Sequence, residues 1–195
     1  MMRTMRTVLV IVTLLVSMPL LAADDDKDKL VDNPIYGGWA GHKPGATATV
    51  VEKTMYSGEE KNLAPDVKTI TYTLVSVSAD KVVVKAVVAE QELLGTIESA
   101  PTKHTYPAKL KQSYLEAALP DLESTKGEEA IEWEGKKIKC HTLYGSYKKE
   151  GAEVAFKAWH SEHIPGGVVK RTRTTKQDGK TVTTTITLQS YKEGK

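Results

Sequence analysis

The sequence has 195 residues, of which 40% are hydrophobic and 27% are charged. This composition excludes a disordered chain, a collagen-like repeat and a polytopic membrane protein, and the length suits one globular domain with its own core. The formal net charge of +2 comes from Arg3 and Arg6, because the rest of the chain has equal numbers of basic and acidic residues. Such a balance gives no electrostatic reason to expect nucleic acid as a partner.

The first 23 residues have the layout of a secretory signal peptide. A basic start precedes an apolar run at 8–16, and small residues follow, so that cleavage is expected after Ala22 or Ala23. The apolar run is shorter than the roughly 20 residues that a membrane-spanning helix needs. We therefore expect an exported protein, periplasmic or extracellular, without stable membrane insertion after cleavage.

Residues 24–32 are charged and predict a flexible acidic tether, which leaves 33–195 as a single β-rich domain. The domain begins with Asn33 as a helix cap and Pro34 at the first helical position. Tyr36 and Trp39 then lie on one face of a short helix. This pattern predicts two aromatic side chains that pack against a sheet.

From Ala46 onward, β-branched residues alternate with polar ones between short turn signals, which is typical of antiparallel strands. One helical pattern interrupts them at 110–119. The predicted fold is mainly β: a single antiparallel meander of about eight strands, forming a curved sheet or half-barrel with one or two short covering helices. The strand patterns lie at 46–56, 67–78, 81–92, 103–110, 128–133, 136–144, 153–160, 168–175 and 181–191.

Histidines are the first candidates for metal or acid-base chemistry. His160, Glu162 and His163 supply two imidazoles and a carboxylate within four residues, and His141 is a further candidate. On a strand the first and last of these face opposite sides, and the H-E-x-x-H helical spacing is absent. The single Cys140 lies on the apolar side of its strand, which predicts a buried side chain and excludes an internal disulfide.

No other catalytic or phosphate-binding motif is present in the sequence. We therefore predict no catalytic residue and no cofactor, and a non-catalytic role is favoured. A metal-dependent or histidine-based enzyme that uses His160, Glu162 and His163 remains the alternative.

The C-terminal strands are rich in threonine, and four of these side chains form one row on a strand face: Thr181, Thr183, Thr185 and Thr187. Such a row can bind ordered water or polysaccharide, and threonine is also common on solvent-facing strands. A structural or surface-interaction role is therefore a further alternative. Nearby, Lys170, Arg171 and Arg173 are interpreted as charges that guard an edge strand against aggregation.

Several short motifs resemble a group of small exported proteins of unknown function, typical of planctomycete-type bacteria. The motifs are Ile164-Pro165-Gly166-Gly167-Val168-Val169, Asn33-Pro34-x-Tyr36-x-x-Trp39, Lys43-Pro44-Gly45 and Gly135-Lys136-Lys137-Ile138-Lys139-Cys140. The resemblance implies export and a β-rich domain. It implies no activity.

A curved antiparallel sheet with a short helix over its concave face is also similar to periplasmic carriers of lipids and lipoproteins, an analogy of fold alone. Such sheets bind apolar ligands between sheet and helix. Our main hypothesis is a binding module in the cell envelope for an apolar small molecule or an extended peptide, with its oligomeric state left open. The candidate lining residues are Tyr36, Trp39, Trp133, Tyr144 and Phe156, and the alternative is that they form a solid core.

Overall fold

The computed structural model describes residues 29–58, 64–92, 95–118 and 122–195. Strands dominate these ranges, which confirms the predicted mainly β fold. In chain order the elements are β1 (Leu30–Asp32), α1 (Pro34–Ala40), β2 (Thr47–Ser57), β3 (Asp66–Val77), β4 (Lys81–Glu92), β5 (Gly95–Glu98), β6 (Thr102–Pro107), β7 (Lys109–Lys111), α2 (Gln112–Ala118), β8 (Glu123–Trp133), β9 (Lys136–Lys149), β10 (Ala152–His160), β11 (Val168–Gln177) and β12 (Lys180–Lys192).

The expected signal peptide, residues 1–23, and residues 24–28 of the expected tether lie outside the described residues. The last three residues of that tether form β1, which pairs with β7 in a two-stranded ribbon. The Lys109 Nζ lies 2.6 Å from Asp32 Oδ1 across this ribbon. A three-residue strand of mostly exposed side chains has no alternation long enough to be recognised in a sequence.

The main sheet has ten antiparallel strands in the order β5-β4-β3-β2-β12-β11-β10-β9-β8, with β6 also paired to β4. It consists of two meanders, β2–β4 and β8–β12, which join where β2 pairs with β12. This arrangement differs from one simple meander, because the first and last long strands are neighbours. The sheet is curved and does not close into a barrel.

The sequence predicted fewer strands than these ranges contain. The pattern at 103–110 splits into β6 and β7, which belong to different sheets, with Pro107 as the last residue of β6. The four-residue β5 is exposed throughout, so no buried face marks it. Both helices have seven residues, and in the described chain no helix is long and apolar enough to cross a membrane.

Helix α1 begins as the sequence predicted. The Asn33 side chain accepts a hydrogen bond from the Ile35 backbone N–H, and Pro34 occupies the first helical position. The Tyr36 hydroxyl donates to the Ser78 and Ala79 carbonyls in the turn between β3 and β4. Trp39 is only 4% exposed and belongs to the core. The helix therefore fixes two aromatic side chains against one end of the sheet.

The core occupies one face of the central strands, which we call the inner face. Val50 pairs with Leu188 on one side and with Ile70 on the other, so their side chains share this face. Trp39 from α1 and Ile164 from the loop after β10 pack into the same cluster. The buried apolar residues of the cluster are Ala46, Ala48, Val50, Ile70, Leu74, Val82, Val84, Cys140, Ile164, Val169, Ile186 and Leu188 together with Trp39.

The loop between β10 and β11 packs directly on α1. The Gly166 N–H donates to the Gly38 carbonyl at 2.9 Å. Gly166 has φ +78°, and a Cβ there would lie 2.8 Å from Trp39 Cζ2; a Cβ on Gly38 would lie 2.8 Å from the Gly166 oxygen. Glycine is needed at both positions because any side chain would separate the loop from the helix. Two of the sequence motifs therefore pack against each other: Ile164-Pro165-Gly166-Gly167 and the segment from Asn33 to Trp39.

The second meander curls back on itself. The Trp133 Nε1 donates to the Leu188 carbonyl at 3.1 Å, and the Trp133 ring centroid lies 5.5 Å from that of Tyr191. β8 and β12 are four strand spacings apart in the sheet, which corresponds to about 19 Å if the sheet were flat. The tip of the β8–β9 hairpin must therefore fold over toward β12.

Candidate binding site on the inner face

The five aromatic residues predicted to line a ligand site are not brought together. Tyr36 and Trp39 belong to α1 and its packing against the core, and Trp133 holds the hairpin tip. Tyr144 is 48% exposed and pairs with Lys157, whereas Phe156 pairs with Arg173 on the inner face. Trp133 and Tyr144 therefore share no internal pocket, and the region under α1 is filled by side chains of the core.

The histidine candidates do not form a metal site in the structure. Glu162 and His163 are exposed on the loop after β10, and His160 lies at the end of that strand. Within the described ranges, no three His, Cys, Asp or Glu side chains are grouped closely enough to hold a metal ion. Desolvation and the positive charge of Arg171 both lower the pKa of His160. The same positive charge opposes the binding of a cation there.

Two other candidates have ordinary surroundings. Cys140 is 3% exposed, as predicted, its thiol donates to the Ile138 carbonyl, and burial raises the pKa of the thiol. It is therefore a protonated core side chain and not a nucleophile. His141 pairs with His160, and its Nδ1 lies 3.7 Å from Glu128 Oε1 on an exposed surface.

The opposite, outer face of the sheet carries the threonine row. Thr183 pairs with Thr174 and Thr185 pairs with Thr172, and the first two hydroxyl oxygens are 3.3 Å apart. A cavity of about 550 Å³ also opens on this side, between β3, β4 and β5. Its lining residues are Pro65, Val67, Thr69, Ala89, Gln91 and Thr96. A hydroxyl group of the row pairs with one of β11, and the cross-strand neighbours of the row on this face include Lys53, Lys170 and Lys176.

The arginines of β11 have a different location from the one that the sequence suggested. β11 lies between β10 and β12 in the middle of the sheet, so Arg171 and Arg173 do not guard an edge. Their neighbours across the sheet are Ala158 and Ile186 for Arg171, and Phe156 and Thr184 for Arg173. Both side chains are half-buried on the inner face. The alternation of side chains along the strand could have predicted that the arginines face away from the threonine row, because they alternate with Thr172 and Thr174 of the outer face.

Tyr72 lies on the same inner face as these arginines, since it pairs with Ala48 of β2. Burial raises the pKa of Tyr72 to about 12; Tyr106 and Glu52 also raise it, while the charge of Arg171 lowers it. Tyr72 on β3 and Arg171 on β11 are three strand spacings apart, about 14 Å measured across the strands, and Tyr72 lies four residues along β3 from Lys68, the residue level with Arg171. The positive charge of Arg171 and the pKa of Tyr72 are therefore linked across the strands between them.

The guanidinium groups lack protein partners. The Nε of Arg173 is buried and has no hydrogen-bond partner, and in the described part of the chain no carboxylate forms an ion pair with Arg171 or Arg173. By contrast, Lys68 on the same face forms an ion pair with Glu90 at 2.9 Å. A buried polar group without a partner costs about 1–3 kcal/mol of folding free energy, and more if it is charged. A gain in folding stability therefore does not explain why arginine occupies these two positions.

Apolar side chains adjoin the arginines on the same face. Phe156 is the direct cross-strand neighbour of Arg173, and its ring centroid lies 6.4 Å from that of Tyr147. Val154, next on this face of β10, is 2% exposed. We call the stretch of the inner face lined by Tyr72, Arg171, Arg173 and Phe156 the inner groove. It combines positive charge with apolar surface.

No protein-family model matches the chain, and no curated protein does. A solved structure of a DUF1329 family protein from Desulfovibrio piger is similar over 83% of this chain and 93% of that chain, with 8% sequence identity and a TM-score of 0.25. A similarity of this size carries no argument about the fold or the function. The interpretation of the inner groove therefore depends on its own geometry.

Proposed function

We propose that the protein is a non-catalytic binding protein of the cell envelope that holds an organic ligand with an apolar part in the inner groove. One observation carries the proposal. The Nε of Arg173 is buried without a hydrogen-bond partner, and Arg173 lies directly across the β10–β11 pairing from the aromatic ring of Phe156. A few unpartnered polar groups next to apolar side chains are the usual combination in a ligand site.

The groove replaces the site that the sequence suggested under α1. Trp39 packs directly on the Gly166 backbone there, so that even a methyl group on Gly166 would overlap the indole ring. Phe156 is the one predicted lining residue that lies in the groove. The apolar contact expected of the ligand is therefore assigned to Phe156 and its neighbour Tyr147.

The envelope location is supported by the signal-peptide pattern of residues 1–23. A non-catalytic role is supported by the state of the reactive groups. The thiol of Cys140 is buried and protonated, and the pKa of His160 is lowered by its surroundings, with no carboxylate within ion-pair distance in the described chain.

The test has two parts. Mature protein purified from its own envelope is examined by native mass spectrometry, where we expect an additional mass that organic extraction removes. The uncharged fluorophore N-phenyl-1-naphthylamine is then titrated into the extracted protein and into F156Q and Y144Q. We expect saturable binding that F156Q weakens and Y144Q does not, because Tyr144 is an exposed aromatic on the opposite face.

Two results would overturn the proposal. One is a bare polypeptide mass together with no saturable fluorophore binding by the wild-type protein. The other is an equal loss of binding in F156Q and Y144Q, with both variants folded by circular dichroism, since that result would place the bound fluorophore outside the groove.

A further inference from the structure

We infer that the ligand of the inner groove is an anionic amphiphile, an apolar chain that ends in a carboxylate or phosphate group, and that Arg171 and Arg173 bind this group. The inference rests on the proposed function and specifies its ligand class. It starts from the two arginines, which the fold places side by side on one face of a central strand.

The spacing suits one oxyanion group. Residues two apart on a strand have Cα atoms about 6.6 Å apart and side chains on the same face. Each guanidinium is a planar fork of N–H donors that matches two oxygens of a carboxylate or phosphate. Arg171 and Arg173 can therefore both donate to the oxygens of a single head group.

The surroundings leave these donors free. Arg173 Nε is buried without a partner, and Glu52 interacts with the charge of Arg171 without forming an ion pair. Among the half-buried lysines of the sheet, Lys68 contacts Glu90 and Lys157 contacts Glu129. Two adjacent positive charges that have no such partner favour an anion from outside the chain.

The apolar part of the ligand has a defined direction. Phe156 lies directly beside Arg173 across the β10–β11 pairing, and Val154 and Tyr147 follow it on the same face. A chain bound by its head group at the arginines would contact the half-buried ring of Phe156, behind which Val154 and Tyr147 are buried. The groove therefore matches a molecule that is charged at one end and apolar along its length.

The experiment compares three ligands with the same twelve-carbon chain: laurate, dodecyl phosphate and 1-dodecanol. Each displaces N-phenyl-1-naphthylamine from the full-length mature protein and from R171Q, R173Q and K170Q. Lys170 is the matched control, because it lies on the same strand with its Nζ 5.3 Å from the Trp159 ring centroid on the outer face.

We expect one or both anions to bind the wild-type protein about tenfold or more tightly than dodecanol, because each charged hydrogen bond adds to the affinity of the anion alone. R171Q and R173Q are expected to remove this preference and to leave dodecanol binding unchanged, while K170Q keeps it. The tighter of the two anions identifies the head group.

The outcomes separate the two proposals. Equal affinities for anions and dodecanol, unaffected by R171Q and R173Q, would overturn the anionic head group and leave the binding function intact. No displacement or probe binding at all in the wild-type protein would overturn both. If a glutamine variant is unfolded by circular dichroism, R173K replaces it. A lysine keeps the charge but loses the planar fork, so the preference for the anions should decrease, and full retention of that preference would contradict bidentate binding.

Discussion

The contact between the β10–β11 loop and α1 can be tested with one methyl group. In G166A the new Cβ would lie 2.8 Å from Trp39 Cζ2 and 3.0 Å from Cε2, and Trp39 is a core side chain that is only 4% exposed. The backbone also has φ +78° at this position. Two costs therefore add: the left-handed conformation of a residue with a Cβ, and the overlap with Trp39.

Gly179 separates the two costs. It has φ +74° in the turn between β11 and β12, and a Cβ there would have no atom within 4 Å. G179A should therefore lose only the backbone part, about 1–2 kcal/mol. G166A should lose a further amount of about 1–3 kcal/mol from overpacking. For a protein of this size the additional loss corresponds to a decrease in Tm of about 2–12 °C.

The measurement is urea unfolding followed by tryptophan fluorescence, with the midpoint and slope determined for the wild-type protein and both variants. A lower midpoint in G166A than in G179A at an equal slope would support the packing described here. If the two variants lose the same free energy of unfolding, then the overlap with Trp39 is relieved at no cost, and these glycines are not needed to hold the loop against α1.

Three further predictions concern other positions. G37A should raise the free energy of unfolding by about 0.5–1 kcal/mol, because alanine favours the helix and its Cβ would meet nothing within 4 Å. G38A should lower the free energy of unfolding, because its Cβ would overlap the Gly166 oxygen. Thermal unfolding of both variants tests this, and a change of the same sign in both would contradict it. R173M should raise the free energy of unfolding by about 1–3 kcal/mol, since it removes a buried donor without a partner; a lower urea midpoint would refute this. The pKa of His160 is lower in the folded protein than its value of about 6.5 in the unfolded chain. Between these two pKa values the unfolded chain binds more protons than the folded protein, so stability decreases as the pH falls below 6.5. H160Q should show a smaller decrease between pH 7.5 and 5, and identical pH profiles would count against this assignment.

Local features of the fold could be predicted from the sequence, and the pairing of distant strands could not. The cap at Asn33, the strands around Val50, Ile70 and Val84, and the buried side of Cys140 follow from short-range patterns. The pairing of β2 with β12 joins residues that are more than 120 apart in the chain, and no local pattern records it. The edge-guard interpretation of the arginines failed for this reason, since it required knowledge of which strand lies at an edge.

The candidate site shows the same limit on a smaller scale. Cys140 and Tyr144 lie on the same side of β9, and alternation correctly grouped them. One is buried and the other is 48% exposed, because Cys140 lies nearer the hairpin turn, where Trp133 contacts Leu188 and Tyr191 of β12. Which part of a strand face is covered therefore depends on contacts with strands that are distant in the sequence. Phe156 is part of the inner groove because it pairs with Arg173, and the sequence did not show this pairing.

The junction between β2 and β12 has a consequence for how the chain acquires its structure. Each meander can form from neighbouring strands, but the sheet has no continuous inner face until the last long strand lies beside the first. Forming this pairing requires closure of a very long loop, which makes folding slow and leaves two exposed strand edges in the meantime. During synthesis the N-terminal meander must wait, with the edge of β2 unpaired, until β12 is available. The residues of the inner groove, drawn from both meanders, come together only in that final step.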